Sequence, residues 1–296
     1  MERVLVTGVS GPIGAALLPY FESQGAQIVR MVRGTARGPD QLSWDPLKPV
    51  SAEAVSGFDA AIHLAGESVI GRWTKAKKKS MRESRVLGTR HLSEALAQAK
   101  QRPRVLICAS AVGFYGDRDD EILTEGSGSG SGFLAELAGD WENASRAAME
   151  AGIRTVNARI GLVLSPRGGA LEKMLPPFKL GLGGRMGSGR QWWSWIHVDD
   201  IVGGIHHAIH NPSLAGPVNF AAPGTVRNAE FAGTLAAVLS RPALFPFPAL
   251  AARLVFGEMA DQLMLASQRV QPAKLQASGY SFRFPELRKA LEDLLN

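Results

Sequence analysis

Cysteine is nearly absent from this chain of 296 residues, which holds a single thiol at Cys108. One thiol excludes an intramolecular disulfide and a metal cluster built on several thiolates, so no bound metal is expected. A run of about 18 apolar residues, the length that a membrane-spanning helix requires, is also missing. The chain starts directly in an apolar strand, without a basic and apolar leader. These absences predict a cytoplasmic protein with no membrane partner.

Acidic residues are fewer than basic ones: the chain has 27 aspartates and glutamates and 33 lysines and arginines, which gives a formal net charge of +6. The basic residues are spread along the chain, apart from four that open a helix and are typical of a solvated face: Lys75, Lys77, Lys78 and Lys79. No nucleic-acid recognition motif accompanies them, so we expect no nucleic-acid partner. An anionic cofactor or substrate accounts for the positive excess equally well.

Apolar strands and helices alternate through the first two thirds of the chain. Strands are predicted at 3–7, 27–33, 60–64, 104–109 and 155–160, and helices at 12–24, 74–99, 133–151 and 228–240. This alternation is typical of an α/β fold in which a Rossmann doubly wound parallel sheet carries helices on both faces. We predict a Rossmann domain over 1–165, rejoined by parts of 190–225, and a smaller, mostly helical C-terminal lobe over 166–296.

Three glycines, Gly8, Gly11 and Gly14, join the first strand to the first helix. Gly8 permits the tight turn, Gly11 lets the backbone approach a pyrophosphate, and Gly14 lets the helix pack close to the strand. A helix that begins here also directs unpaired N–H groups at a phosphate. We therefore predict a dinucleotide bound by the turn residues Gly8, Ser10, Gly11, Pro12, Ile13 and Gly14.

The second strand ends without the acidic residue that would bind a ribose 2′-hydroxyl. Arg33 closes that strand and Arg37 follows in the loop. An arginine here pairs with the 2′-phosphate of NADP, which is therefore the predicted cofactor; the alternative is a solvated arginine. Because ligands bind at the carboxyl ends of parallel strands, further cofactor contacts are expected from Leu64, Ala65, Gly66 and Ala109.

Several short motifs together resemble the extended short-chain dehydrogenase/reductase superfamily. They are Thr7-Gly8-x-x-Gly11-x-x-Gly14, His63-Leu64-Ala65-Gly66, Gly88-Thr89, Ser110 with Tyr115-Gly116, and Ile196-His197-Val198-Asp199-Asp200. Leu64-Ala65-Gly66-Glu67, Trp141-Glu142 and Trp195-Ile196-His197 resemble, more narrowly, its atypical epimerase family branch. Residues near 247–294 resemble that branch's terminal domain of unknown function. The resemblance implies bound NADP and a substrate cleft under the C-terminal lobe.

The catalytic Tyr-x-x-x-Lys pair of that superfamily is replaced in this chain. The matching positions are Phe133 and Leu137, neither of which can move a proton. The superfamily's asparagine on the preceding helix is Arg85. Arg85 is a candidate contact to the cofactor pyrophosphate or to a substrate carboxylate or phosphate; the alternative is a surface pair with Glu83 or Glu94.

Four side chains remain as candidates for catalytic proton transfer: Ser110, Glu67, Tyr115 and Glu136. Ser110 lies near the expected nicotinamide position, although another register places Ala111 there. Glu67 follows a strand end, and its alternative role is a loop carboxylate that caps the next element. Tyr115 either supplies a phenol for proton transfer or packs at the end of a strand. Glu136 lies one turn into a helix, where burial would raise its pKa; a structural ion pair is the alternative.

Three residues after a glycine-rich turn, Trp193, Trp195 and His197, are expected to line the substrate cleft. Alternation places both tryptophans on one face, where a ring can stack on a substrate or pack in the core. The alternative for His197 is a hydrogen bond that fixes the turn. The Gly/Ser run at 126–132 is either a lid that orders on substrate binding or a passive linker.

Three functions are compatible with these features. The first is an NADP(H)-dependent oxidoreductase of the atypical branch, acting on a small polar or anionic carbonyl or alcohol compound. The second is a nucleotide-sugar epimerase, against which the loss of the Tyr and Lys counts. The third is a catalytically silent regulator that responds to NADP(H). The expected partner is a small-molecule substrate, and a homodimer is left open.

Overall fold

Seven parallel strands form the central sheet of the protein, whose computed structural model describes residues 1–295. The strands, in chain order, are β1 (Arg3–Thr7), β2 (Gln27–Arg33), β3 (Gln41–Trp44), β4 (Ala60–His63), β5 (Val105–Ala111), β6 (Ile122–Leu123), β7 (Arg154–Ile160), β8 (Leu162–Leu164), β9 (Trp192–Trp193), β10 (Trp195–His197), β11 (Gly216–Phe220), β12 (Val226–Arg227) and β13 (Arg269–Val270). In the large sheet they lie in the order β11-β7-β5-β4-β1-β2-β3. The other strands form three pairs, β10 with β8, β12 with β9 and β13 with β6.

Ten α-helices surround or follow this sheet. They are α1 (Pro12–Ser23), α2 (Lys75–Gln98), α3 (Phe133–Ala144), α4 (Arg146–Glu150), α5 (Gly169–Lys179), α6 (Val198–His210), α7 (Asn228–Val238), α8 (Ala249–Phe256), α9 (Ala273–Ala277) and α10 (Leu287–Leu295). A 3-10 turn over Val112–Tyr115 follows β5, and a π-helical turn covers Ala260–Met264. Within residues 1–295, none of these helices combines the length and apolar character needed to cross a membrane.

Helices cover both faces of the sheet. Leu17 of α1 and Ile205 of α6 pack on one face with Val6 and Ile107. On the other face, helices α2, α3 and α4 bury Leu96, Trp141 and Ala148, respectively. The predicted doubly wound Rossmann sheet is therefore confirmed. The strand order reverses between β1 and β4, and such a switch point is where a ligand binds in this architecture.

The C-terminal part of the chain is mainly helical and builds a separate apolar cluster. Helices α5, α7 and α10 meet there around the rings of Trp193 and Trp195. One strand from this part of the chain, β11, belongs to the central sheet, where it pairs with β7. The two-domain division at residue 165 stays a prediction.

The helix predicted over 133–151 is interrupted at Ser145. The Ser145 hydroxyl donates to the carbonyl of Glu142 at 2.7 Å, while its own carbonyl accepts from the Ser93 hydroxyl at 3.0 Å. Serine side chains compete in this way with helical backbone hydrogen bonds. The chain therefore makes two helices, α3 and α4, where periodicity indicated one.

Candidate functional site

The glycine-rich turn between β1 and α1 is closely packed at two of its three glycines. Gly8 has φ +76°, and a Cβ there would lie 2.6 Å from the carbonyl carbon of Leu64. A Cβ on Gly14 would lie 2.5 Å from the Gly8 oxygen. At Gly11 the nearest atom is that same oxygen at 3.5 Å, so the space above Gly11 is open. Two glycines thus shape the turn, and the third leaves room beside the backbone.

Helix α1 begins at this turn without a side-chain cap. Gly11 is the N-cap residue, Pro12 follows at the first helical position, and the first turn holds no acidic residue. Free N–H groups and the positive end of the helix dipole therefore face the switch point between β1 and β4. Ser10 is exposed beside them. This arrangement suits an anionic group such as a pyrophosphate.

Arg33 ends β2 as an exposed side chain, and among residues 1–295 it forms no ion pair. Its positive charge is near enough to Glu67 to help lower the pKa of that carboxyl. Arg37 is exposed in the loop that follows. An unpaired guanidinium therefore stands near the glycine-rich turn, at the position predicted to bind a 2′-phosphate.

The segment after β4 is held in place by Arg85 of α2. The Arg85 Nη1 donates to the Glu67 carbonyl at 2.8 Å, and its guanidinium lies 4.9 Å from the Trp141 ring. A Cβ on Gly66 would lie 3.0 Å from the guanidinium carbon, so glycine allows this approach. Burial lowers the pKa of Arg85 to about 10. Arg85 thus lies against the strand end, and no surface pair with Glu83 or Glu94 forms among the described residues.

His63, the last residue of β4, is buried beside the same turn. Its Nδ1 lies 2.7 Å from the Thr7 hydroxyl, which also accepts from the Ala65 N–H. The Nε2 atom has no partner among the described residues. Burial lowers the pKa of His63 to about 4, so the ring is neutral at physiological pH.

Glu67 forms an ion pair directly after the Leu64-Ala65-Gly66 segment. Its carboxylate accepts from the Lys77 ammonium at 2.6 Å, and its side chain is 36% exposed. The hydrogen bond from Lys77 is the main cause that lowers the pKa of this carboxyl. Glu67 is therefore ionised at neutral pH, and it can accept a proton from a bound group but does not carry one to give.

Ser110 and Tyr115 belong to a buried polar network. The Ser110 hydroxyl donates to Glu142 at 2.7 Å, and Glu142 accepts two hydrogen bonds from Arg159, at 2.8 and 2.9 Å. Arg159 also donates to the Tyr115 hydroxyl at 3.1 Å, which in turn donates to Asn219 at 2.7 Å. Burial raises the pKa of Tyr115. Both hydroxyls thus have partners inside the protein.

The register of β5 places Ser110 and Ala111 on opposite faces of the sheet. Ser110 is 3% exposed and lies on the α3 side, where Glu142 meets it. Ala111, the last residue of the strand, is half-buried. The sequence alone left this choice open.

The structure corrects the expected burial of Glu136. Its side chain is 70% exposed and lies 3.9 Å from Arg82. Position 136 falls on the outer face of α3, since Ala135 and Leu137 take the buried positions beside it. The environment that would raise the pKa of a carboxyl is therefore absent.

The structure also places Trp193, Trp195 and His197 in packed interiors instead of an open cleft. The ring of Trp193 lies 5.2 Å from that of Phe231, and the Trp195 indole, fully buried, donates to the Gly224 carbonyl. His197 caps α6, because its Nδ1 accepts from the Asp199 N–H at 3.0 Å. Both tryptophans do lie in one cluster, as alternation predicted. Packing, the alternative for the tryptophans, describes both of them, and a hydrogen bond that fixes the turn, the alternative for His197, describes the histidine.

Gly130, within the Gly/Ser run at 126–132, is packed against the 3-10 turn. The Gly130 N–H donates to the Phe114 carbonyl at 3.0 Å. A Cβ on Gly130 would lie 2.1 Å from the backbone carbonyl oxygen of Tyr115, so only glycine fits. Composition indicated a lid or a linker, whereas these contacts show glycine used for close backbone approach.

Residues of the C-terminal part close over the start of α3. The Gln262 side chain accepts from the Leu134 N–H at 2.9 Å and donates to Glu258 at 2.7 Å. Phe133 packs edge-on against Trp73, with the Lys78 ammonium 4.9 Å from its ring centre. The wall at this position is therefore built on an aromatic pair, with the Lys78 ammonium beside one of its rings.

A cationic cluster lies around the half-buried ring of Trp192, and the sequence did not predict it. The guanidinium groups of Arg227 and Arg269 lie 4.6 and 4.4 Å from the ring centre. Arg227 and the indole N–H both donate to Asp120, while Arg269 has no carboxylate partner among the described residues. The neighbouring Gln268 donates to the Gly116 carbonyl, which ties this cluster to the end of β5.

The profile of the NAD dependent epimerase/dehydratase family matches residues 4–220. The chain belongs to that family. A domain of unknown function, DUF1731, matches residues 247–294, the segment whose resemblance the sequence had indicated. The family resemblance predicted from the sequence is therefore confirmed, and a nicotinamide dinucleotide is confirmed as the cofactor class of this family.

Individual relatives match almost the whole of this chain. Epimerase family protein MT2273 of Mycobacterium tuberculosis is 41% identical over 290 residues, 97% of this chain and 96% of the relative. The crystal structure of the human epimerase family protein SDR39U1 with NADPH has a TM-score of 0.92 and 36% identity, covering 99% of both chains. A nucleoside-diphosphate sugar epimerase from Corynebacterium glutamicum has a TM-score of 0.83 and 38% identity, covering 99% of this chain and 58% of its own.

Proposed function

We propose that this protein is an NADP(H)-dependent oxidoreductase that acts on a small polar or anionic carbonyl or alcohol compound in the cytoplasm. The observation that carries the proposal is the uncapped N-terminus of α1 at the switch point, with open space above Gly11 and the unpaired Arg33 nearby. The human relative solved with NADPH supports the choice of coenzyme. The lone, buried cysteine supports the cytoplasmic location.

The residues present fit this cofactor. The N–H groups at the start of α1 would hold the pyrophosphate, and Arg33 would pair with the 2′-phosphate. The segment 64–66, with Arg85 behind it, would form the floor beside the dinucleotide. When bound, the oxidised nicotinamide would accept a hydride from the carbon that bears an alcohol hydroxyl.

The substrate would bind at the carboxyl ends of β4 and β5. Arg269 is the proposed anchor for an anionic group, because its charge is unpaired and its partner ring, Trp192, holds it in place. The covered apolar wall around Phe133 would keep water from the reacting carbon.

Glu67 is the proposed acid–base residue. Of the four candidates it alone is both partly exposed and placed at a strand end of the switch point, whereas Ser110 and Tyr115 are bonded inside the network and Glu136 lies on the outer face of α3. In alcohol oxidation its carboxylate would take the hydroxyl proton while the hydride leaves the same carbon.

Glu67→Gln is expected to lower turnover by at least about 100-fold, because a positioned acid–base group contributes that much. The measurement is the gain of NADPH absorbance when NADP is supplied with a panel of alcohols. Glu83→Gln, which breaks an ion pair with Lys79 within α2, is the matched control and retains turnover. Equal loss in both variants would remove Glu67 from the mechanism.

Arg33→Asp is expected to weaken NADPH binding by about 100-fold and to leave NADH binding nearly unchanged, because one charge-assisted contact to the 2′-phosphate is lost. Titration calorimetry with both coenzymes measures the two affinities. Arg102→Asp, just before the amino end of β5, controls for the change in net charge. An unaltered NADPH/NADH ratio would contradict the assignment of Arg33.

A regulator that binds NADP(H) without turnover is the second candidate. The observation in its favour is the apolar pair Phe133 and Leu137 where the superfamily has its proton donor and its lysine. Tight NADPH binding without reduction of NADP by any alcohol in the panel would support this function.

A further inference from the structure

An exposed apolar strip lies on the C-terminal part of the chain, outside the proposed catalytic site. It includes six side chains that are each more than half exposed: Leu180, Leu182, Leu244, Phe245, Leu250 and Leu254. We call this strip the α8 patch, because the last two of these residues belong to α8. Single exposed leucines are ordinary on protein surfaces, but a concentration of this kind marks a surface that contacts a protein or a membrane.

The two segments that carry the α8 patch run side by side. The Phe245 N–H donates to the Gly183 carbonyl, and the Phe247 N–H donates to the Arg185 carbonyl at 2.8 Å. Helix α8 begins two residues later, and its two exposed leucines are one helical turn apart on the same face. The apolar side chains are therefore neighbours on one surface.

Four exposed cations border the α8 patch. They are Arg72, Lys179, Arg185 and Arg241, and among residues 1–295 none of them has a carboxylate partner. The Arg72 guanidinium donates to the carbonyl of Leu254 at 3.3 Å, and that of Arg241 donates to the carbonyl of Lys179 at 2.9 Å. Because a carbonyl carries no net charge, these hydrogen bonds leave the positive charges uncompensated and the rim of the patch cationic.

Acidic residues are missing from both segments of the patch. Residues 173–198 contain four lysines and arginines and residues 231–257 contain two, without an aspartate or glutamate in either range. On α8 the single cation, Arg253, is paired with Asp261 at 2.8 Å. Apolar side chains within a positive rim are the composition of surfaces that bind anionic bilayers.

A bilayer fits this surface better than a folded acidic protein does. Protein interfaces concentrate their binding energy in tryptophan, tyrosine and arginine, and leucine is under-represented among such residues. Five of the six exposed side chains of the patch are leucines. The four cations come from three segments of the chain, which suits a diffuse negative field and requires no matching set of carboxylates.

We propose that the α8 patch is a peripheral membrane-contact surface that binds bilayers containing anionic phospholipids. Helix α8 lies in the headgroup plane with Leu250 and Leu254 among the upper acyl chains, while the cations of the rim contact lipid phosphates. A membrane partner was not expected because the chain lacks a spanning segment, but a contact of this kind needs none. This inference stands independently of the proposed activity.

Sedimentation with vesicles tests the proposal on the full chain. Wild type is expected to sediment with vesicles of equal parts phosphatidylcholine and phosphatidylglycerol, to stay in solution with phosphatidylcholine alone, and to be released by high salt. Leu250→Ser/Leu254→Ser is expected to weaken binding by about 100-fold, because two leucine side chains no longer enter the acyl region. Leu47→Ser, at an exposed leucine in the loop after β3, is the matched control and binds as wild type does.

Lys179→Gln/Arg241→Gln is expected to weaken binding to the mixed vesicles by about 25-fold, since each cation near an anionic surface contributes roughly fivefold. Lys100→Gln/Arg102→Gln, which removes two exposed cations before β5, matches the change in net charge and binds as wild type does. A thermal unfolding curve of each variant verifies that the fold is intact.

A fluorescent label gives a second readout that leaves the charges in place. Cys108 is buried, so a Leu254→Cys variant presents one reactive thiol for a polarity-sensitive dye. The emission of this dye is expected to shift to the blue with the mixed vesicles, and that of labelled Leu47→Cys to stay unchanged.

Three results would overturn the proposal: a wild type that ignores the mixed vesicles at low salt, equal binding to the two kinds of vesicle, or equal weakening in the patch and control variants. A wild type that binds poly-glutamate instead of vesicles would overturn it in favour of an acidic protein. A wild type that ignores vesicles and loses molar mass in light scattering on Leu250→Ser/Leu254→Ser would assign the patch to a second copy of the chain.

Discussion

Glu142→Gln is expected to destabilise the protein by about 3 kcal/mol, because it leaves the buried Arg159 guanidinium without its counter-charge. The Arg159 side chain is only 4% exposed and that of Glu142 12%, so water screens neither partner well. The pair also joins β7 to α3, and its Glu142 carboxylate accepts a hydrogen bond from the Ser110 hydroxyl. Urea unfolding, followed by tryptophan fluorescence, measures the loss.

Glu150→Gln is the matched control for this prediction. It breaks an exposed pair with Arg146, four residues apart on one helix, and is expected to cost no more than about 0.5 kcal/mol. The double variant Glu142→Gln/Arg159→Met removes both charges and should recover part of the lost stability. If Glu142→Gln and Glu150→Gln cost the same, the buried pair does not hold α3 to the sheet.

Gly11→Ala is expected to weaken NADPH binding by about 100-fold while the protein stays folded. Gly11 has φ −80° and ψ 166°, which alanine adopts freely, and its Cβ would meet only the Gly8 oxygen at ordinary contact distance. The new methyl group would instead occupy the open space where the pyrophosphate is proposed to lie. Calorimetric titration and a thermal unfolding curve separate the two effects.

Gly139→Ala provides the corresponding control on α3. No atom lies within 4 Å of a Cβ at that position, so the variant should gain about 0.5–1 kcal/mol of stability and bind NADPH as wild type does. Unchanged NADPH affinity in Gly11→Ala would mean that the dinucleotide does not pass over this turn.

Local patterns account for most of the fold that was predicted. The strand over Gln27–Arg33 and the starts of α1, α3 and α7 lie where apolar periodicity, proline and glycine indicated. Boundaries of this kind depend on residues near one another in the chain. The break at Ser145 was missed because it depends on Ser93, which lies far away in sequence.

The candidate site was harder to predict than the fold. The glycine turn and Arg33 were recognised because their roles follow from position along a strand and a loop. Glu142 was quoted only as part of a motif, and its partner Arg159 was not noticed at all, since the two carry no recognisable spacing. Trp192 and Arg269 likewise contact each other although they lie 77 residues apart in the sequence.

Order along the chain was enough to determine the alternating strands and the glycine-rich turn, because each of these is a property of neighbouring residues. Only the folded molecule decided that Ser110 faces Glu142, that Glu136 lies outside, that Trp193 and Trp195 are core, and that Gly130 packs against the 3-10 turn. These outcomes depend on which distant groups fill the space around a side chain, and burial of that kind arises when separate segments come together.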